Sequence, residues 1–293
     1  MAQVSRQRWA GAVVVMLALV ACSDSSKPKA TSSTDSAGQP VETTVVIGSD
    51  GSSSVVTIPS DATADGDTGP AGNPGPVVGP VASTGPPGTF APAILLASQS
   101  TEVLVEVRVQ SGADPQKASL DHLVGVLQSV TGKTVTVAQG SPIGGGGKSW
   151  SADELRATGG DGAAQGGGRS VIHLLFVHGD FGGDSGVLGV AVRGDTAAVF
   201  VDQVNGASTP LVGSSGIETA VVTHEVGHLM GLVDLYLETG RQDPDHPGHS
   251  TNPNSVMYWA VESNLVADLL QGGPPKDFDA EDLADLETIR NSG

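Results

Sequence analysis

In the stretch "VVTHEVGHLMGLVDLYLETG", Val221 to Gly240, two histidines stand four residues apart, with a glutamate directly after the first and a glycine three after the second. On a helix, positions four apart share a face, so His224 and His228 can bind one metal ion together while Glu225 projects toward a water beside it. Neutral imidazole suits zinc, and copper or nickel would accept it too. Two imidazoles leave such a site unfinished. A third protein ligand must come from elsewhere, and Asp234, three residues past Gly231, is the nearest carboxylate at a useful distance.

These residues resemble the metzincin clan of zinc metallopeptidases, whose signature HExxHxxGxxH is followed by a methionine turn. "HEVGHLMGLVD" fits through Gly231. The resemblance implies that His224 and His228 are zinc ligands and that Glu225 is the general base and acid. It also implies that Gly231 ends the helix sharply, since glycine takes a positive φ at little cost. Asp234 stands where the third histidine is usual, as in the snapalysin-like variant HExxHxxGxxD.

Further on, "HPGHSTNPNSVMYW" is similar to the archaemetzincin pattern HCxxxxCxM with serines, Ser250 and Ser255, at both cysteine positions. That likeness implies His249 as third ligand and Met257 as the turn residue, with 15 extra residues looped out after Gly231. His249 and Asp234 both stay open, with His246, Asp243 and Asp245 as further donors. A gluzincin-type ligand, Glu238 or Glu262, leaves "SVMYW" unexplained. Taken together, the resemblance implies an α+β, zincin-like (metzincin) catalytic domain with a mixed β-sheet and an active-site helix. It implies one catalytic zinc ion and a protein or peptide substrate cleaved as an endopeptidase cleaves it.

The elements that must position these residues are legible from periodicity. Ser215 stands three residues before Glu218, the spacing of a capping box, and predicts a helix starting near Gly216. "EVLVEVRVQ" alternates as a half-buried strand, and Leu120, Leu123, Val124, Leu127 and Val130 fall at helical spacing before a stop at Gly132. "KTVTVAQ", "SVIHLLFVHG", "VLGVAVRG" and "AAVFVDQV" read as strands, the last two around a turn at Gly194-Asp195, and "SADELRAT" as a short helix. "GVLGVAVRG" can serve as the edge on which an extended peptide pairs, or be a buried strand only. Asp279 caps a last helix whose Leu283, Leu286 and Ile289 face inward.

Other signals are weaker. "SPIGGGGKSW" fails as a phosphate loop because Pro142 stands where a glycine is required. Asp180 and Asp184 in "HGDFGGDSG" offer carboxylates to a structural calcium, or simply form a turn. Tyr258 and Trp259 line a pocket or belong to the core.

Residues 1–21 place Arg6 and Arg8 ahead of the apolar run "WAGAVVVMLALVA", the profile of a secretory signal peptide. "LVAC" resembles a bacterial lipobox, which implies lipidation of Cys22, the chain's only cysteine, and an exported lipoprotein on the outer side of the cell membrane. Residues 22–92 are rich in Ser, Thr, Gly and Pro and read as a disordered tether. Residues 93–293 are long enough for one domain with a full core, the expected metallopeptidase domain.

Without the leader, 12 basic side chains face 32 acidic ones, which argues against nucleic acid and against anionic headgroups as partners. The chain is expected to act as a monomer. Two rival readings accompany this one: a zinc-binding surface lipoprotein without hydrolytic activity, and a solute-binding or adhesive lipoprotein in which the motif is accidental.

Overall fold

The apolar alternation of "EVLVEVRV" forms the strand that organises the sheet. In the computed structural model, residues 33–34, 40–47, 53–58, 83–145, 148–266 and 273–292 are described. The leader and Cys22 lie outside them, as does most of the stretch read as a tether. The chain divides into two units, Met1–Ala71 and Gly72–Gly293. In the first, β1 (Ser33–Thr34), β2 (Pro40–Ile47) and β3 (Ser53–Ile58) pair antiparallel in that order. Both β2 and β3 fall within the stretch read as a tether.

The second unit holds α1 (Ala91–Leu95), β4 (Glu102–Val109), α2 (Lys117–Thr131), β5 (Thr134–Gln139), β6 (Lys148–Trp150), α3 (Ala152–Gly160), β7 (Arg169–Val177) and β8 (Gly179–Phe181). It continues with β9 (Gly189–Arg193), β10 (Thr196–Phe200), α4 (Val201–Ala207), α5 (Ser214–Leu229), a 3₁₀ turn at Trp259–Glu262 and α6 (Ala280–Arg290). The main sheet runs β5-β4-β7-β10-β9. Every neighbouring pair is parallel except β10 with β9, so the fold is a mixed α/β domain with a mostly parallel sheet and one antiparallel edge.

Strand alternation splits the core in two. Val103, Val105 and Val107 with Ile172, Leu174 and Phe176 face the layer of α1, α2 and α5. Leu175, Val177, Ala198 and Phe200 face α3 through Leu155, beside Trp150. α2 ends at Gly132 with φ 67°, as its sequence requires.

Phe90, Ala91 and Pro92, just ahead of residue 93, are buried. Two expectations are corrected. "VDQV" opens helix α4 instead of prolonging β10: after Phe200 the chain leaves the sheet and turns back over it. Leu283 is 45% exposed, since only Leu286 and Ile289 of α6 point to the core.

Candidate metal centre

Helix α5 carries the histidine pair. All its residues from Ile217 to Leu229 are buried, so the helix threads the core instead of lying on it. Its start departs from the expected capping box. The N-cap is Gly213, with no side-chain cap, and Glu218 turns away to accept the backbone N–H of Gln116 at 2.7 Å. A contact across 102 residues has outcompeted the local one, and it ties the helix to the N-terminus of α2.

His224 and His228 approach through their Nε2 atoms at 3.1 Å. The His249 ring lies 5.2 Å from that of His224 and 5.1 Å from that of His228, centroid to centroid. Glu262 completes the group. Its Oε1 is 3.1 Å from His249 Nε2 and its Oε2 3.6 Å from His224 Nε2, and one donor atom from each of the four residues lies within 4.8 Å of all the others. Among the described residues this is the one such group of histidines and acids.

These donors fit a zinc ion. With Zn–N bonds of about 2.0–2.1 Å, two nitrogens of a tetrahedral site stand roughly 3.3 Å apart, close to the separation seen. His224 Nδ1 lies 2.7 Å from the carbonyl oxygen of Val256, so Nδ1–H donates there and Nε2 is left with a free lone pair. Burial, then the neighbouring His224 and His249, lower the pKa of His228 well below its ordinary value and keep it neutral, as a ligand must be. Burial also works to lower His249, but Glu262 beside it outweighs burial and raises it.

Glu225, next to His224 in the chain, is wholly buried. Neither of its oxygens makes a regular hydrogen bond. Burial, then the charge of Glu262, push its pKa well above the ordinary carboxylate range, while the backbone N–H of Ala191 in β9 pulls the other way. Gly189 is what lets β9 come so near: a Cβ there would stand 2.6 Å from Glu225 Oε1 and from Val221 Cγ1.

Met257 is fully buried beneath the helix, and a Cβ on Gly227 would collide with its Sδ. The turn is fixed by Ser255. Its hydroxyl donates to Asp282 Oδ2 at 2.6 Å and accepts the N–H of Met257 at 2.9 Å. Asp282 belongs to α6 and closes a capping box with Asp279. The C-terminal helix therefore braces the turn whose Val256 carbonyl orients His224.

Asp234 is not brought to the cluster. Its Oδ1 accepts from Thr239 N, Thr239 Oγ1 and Gly240 N at 2.7–3.1 Å, closing a loop after the helix stop at Gly231 (φ 84°). His246 stacks on Trp259, 4.3 Å between centroids, and pairs with Asp243. Asp243, Asp245 and Glu238 also lie outside the group. Asp180 and Asp184 each accept a nearby glycine N–H, from Gly183 and Gly186, and serve turns. Tyr258 packs on the core, whereas Trp259 lines a cleft.

That cleft has a volume of about 540 Å³ and is walled by Asp184–Val187 on one side and His246, Pro247 and Trp259 on the other. It reaches His249 and Glu262. Sequence reasoning set Glu262 aside. Its spacing five residues past Met257 carries no motif signal, and only the 3₁₀ turn at Trp259–Glu262 swings it over the histidines.

No protein-family model and no curated protein matches the chain. Among solved structures, an archaemetzincin from Methanopyrus kandleri is similar at 17% identity with a TM-score of 0.44, over 64% of this chain and 96% of that one.

Proposed function

We propose that the protein is a zinc-dependent endopeptidase in which His224, His228 and His249 hold the metal and Glu225 is the general base, on a zincin-like scaffold. The observation that carries this reading is the convergence of three imidazoles on one point, with the buried carboxylate of Glu225, free of regular hydrogen bonds, next to the first of them in the chain. When bound, zinc supplies a Lewis acid for a scissile carbonyl and acidifies water.

The remaining work falls to the chain's own residues. Glu225 takes a proton on its carboxylate from the attacking water and returns it to the leaving amine. β9 is an edge strand beside Glu225, and an extended peptide can pair with it by main-chain hydrogen bonds. The cleft accommodates side chains, with Trp259 as an apolar wall and Asp184 as an acidic one. Export, lipidation at Cys22 and attachment to the outer face of the membrane belong to the same proposal and rest on the N-terminal sequence.

Metal analysis of the dialysed full chain tests the reading. One zinc per chain, lost in His224→Ala and His228→Ala, is expected. A wild-type protein that retains no zinc contradicts it.

A further inference from the structure

Glu262 stands between the cleft and the buried base. The cleft touches His249 and Glu262, while His224, His228 and Glu225 do not line it. Three imidazoles and a carboxylate make a complete four-coordinate zinc set. Sites filled entirely by protein are the structural kind, whereas catalytic sites keep one position open for water. The fourth member here is also the most exposed: the Glu262 side chain retains 28% of its accessible surface, against 0% for His224 and 13% for His249.

The backbone around Glu262 adds a second obstruction. Leu188 N donates to Glu262 O at 2.8 Å, Asn264 N donates to Gly186 O at 2.8 Å, and Val187 bridges antiparallel to Ser263. Residues 262–264 thus pair with 186–188, the stretch leading directly into edge strand β9. An extended peptide approaching that edge meets a segment of the chain already hydrogen-bonded there.

We propose that the strap Trp259–Asn264 holds the enzyme latent, with Glu262 as a fourth protein ligand, and must withdraw before a peptide reaches Glu225. This rests on the zinc reading given above. Withdrawal breaks two main-chain hydrogen bonds and one 3₁₀ turn, lifts Ala260 and Val261 out of the core and separates Trp259 from His246, whose carbonyl accepts the His249 N–H. His224 and His228 stay on α5. The carboxylate suits the role because it binds zinc through one oxygen and can be replaced by water without moving another ligand.

The test compares full-length wild type, Glu262→Gln and Glu262→Ala. Zinc affinity is measured by competition with a chromophoric chelator. Acetohydroxamate binding to the cobalt-loaded proteins is followed in the visible spectrum. Both variants are expected to bind zinc at least about tenfold more weakly, the low end of what even outer-sphere changes cost. Both are expected to take up acetohydroxamate at lower concentration than wild type. Glu262→Gln preserves size and the backbone pairing, so it decides the matter even if Glu262→Ala is poorly folded. Unchanged zinc affinity together with unchanged hydroxamate binding overturns the latency proposal and leaves the zinc reading standing. Wild type that binds no zinc overturns the zinc reading itself.

Discussion

His224 Nδ1 lies 2.7 Å from the carbonyl oxygen of Val256, the residue before Met257. The methionine turn therefore selects the tautomer of the first helix histidine. Its own support is Ser255, buried and bonded both to Asp282 and to the N–H of Met257. Ser255→Ala is expected to leave the Met257 N–H without its partner, to reduce Asp282 to its bond from Asp279 N, and to cost about 1–3 kcal/mol of stability. Zinc affinity should fall with it. Denaturant unfolding and chelator competition on the same preparation check both effects.

Replacing Gly189 tests metal binding and hydrolysis separately. A methyl group there collides with Glu225 Oε1 and Val221 Cγ1, the atoms nearest to it. Gly189→Ala should retain stoichiometric zinc while peptide cleavage falls by about 10²-fold, the cost of displacing a catalytic group by roughly 1 Å. Parallel loss of zinc and activity would place the damage in folding instead.

The two candidates for the third ligand make opposite predictions. Asp234 is committed to Thr239 and Gly240, and His249 faces the other two histidines. Asp234→Ala should keep its zinc and loosen only the following loop, visible as faster proteolysis near Gly240. His249→Ala should lose zinc on dialysis. The reverse pattern would assign the site to the carboxylate.

Stability should depend on pH through Asp282. Burial is the main cause that raises its carboxyl to about 6, with the Ser255 hydroxyl opposing and the Asp279 charge adding. The unfolded value is about 3.9, so between pH 4 and 6 the folded state holds the extra proton, and stability falls as pH rises through that window. The loss is complete above the folded value and amounts to up to about 3 kcal/mol. In Asp282→Asn this component should vanish, which paired unfolding curves at pH 4.5 and pH 7 would reveal.

Much of the scaffold could be read from the chain because its signals are local. The strand at Glu102–Val109, the glycine stop at Gly132 and the Asp279 cap each act within a few residues and appear where expected, although that strand is buried on both faces instead of one. The failures share a cause. Glu218 has the spacing of a capping box but bonds to Gln116, "VDQV" has strand residues but follows the end of the sheet, and Leu283 lies at the edge of its helix's apolar face.

The site follows the same rule. His224, Glu225 and His228 form a motif within five residues, whereas nothing near Glu262 announces that a 3₁₀ turn carries it to His249. Asp234 illustrates the converse. It occupies a motif position in sequence, and its positive φ of 63° directs it into a loop of its own.

The most direct measurement is cleavage of a peptide library by zinc-loaded Glu262→Gln, in which the latency contact is removed, and by the double variant Glu225→Gln/Glu262→Gln, with zinc content determined on the same samples. The account predicts one zinc per chain in both proteins and a rate about 10²- to 10⁴-fold lower in the double variant, the usual contribution of a general base. Equal cleavage by the two proteins, or a zinc-loaded Glu262→Gln that leaves the library intact, would contradict it.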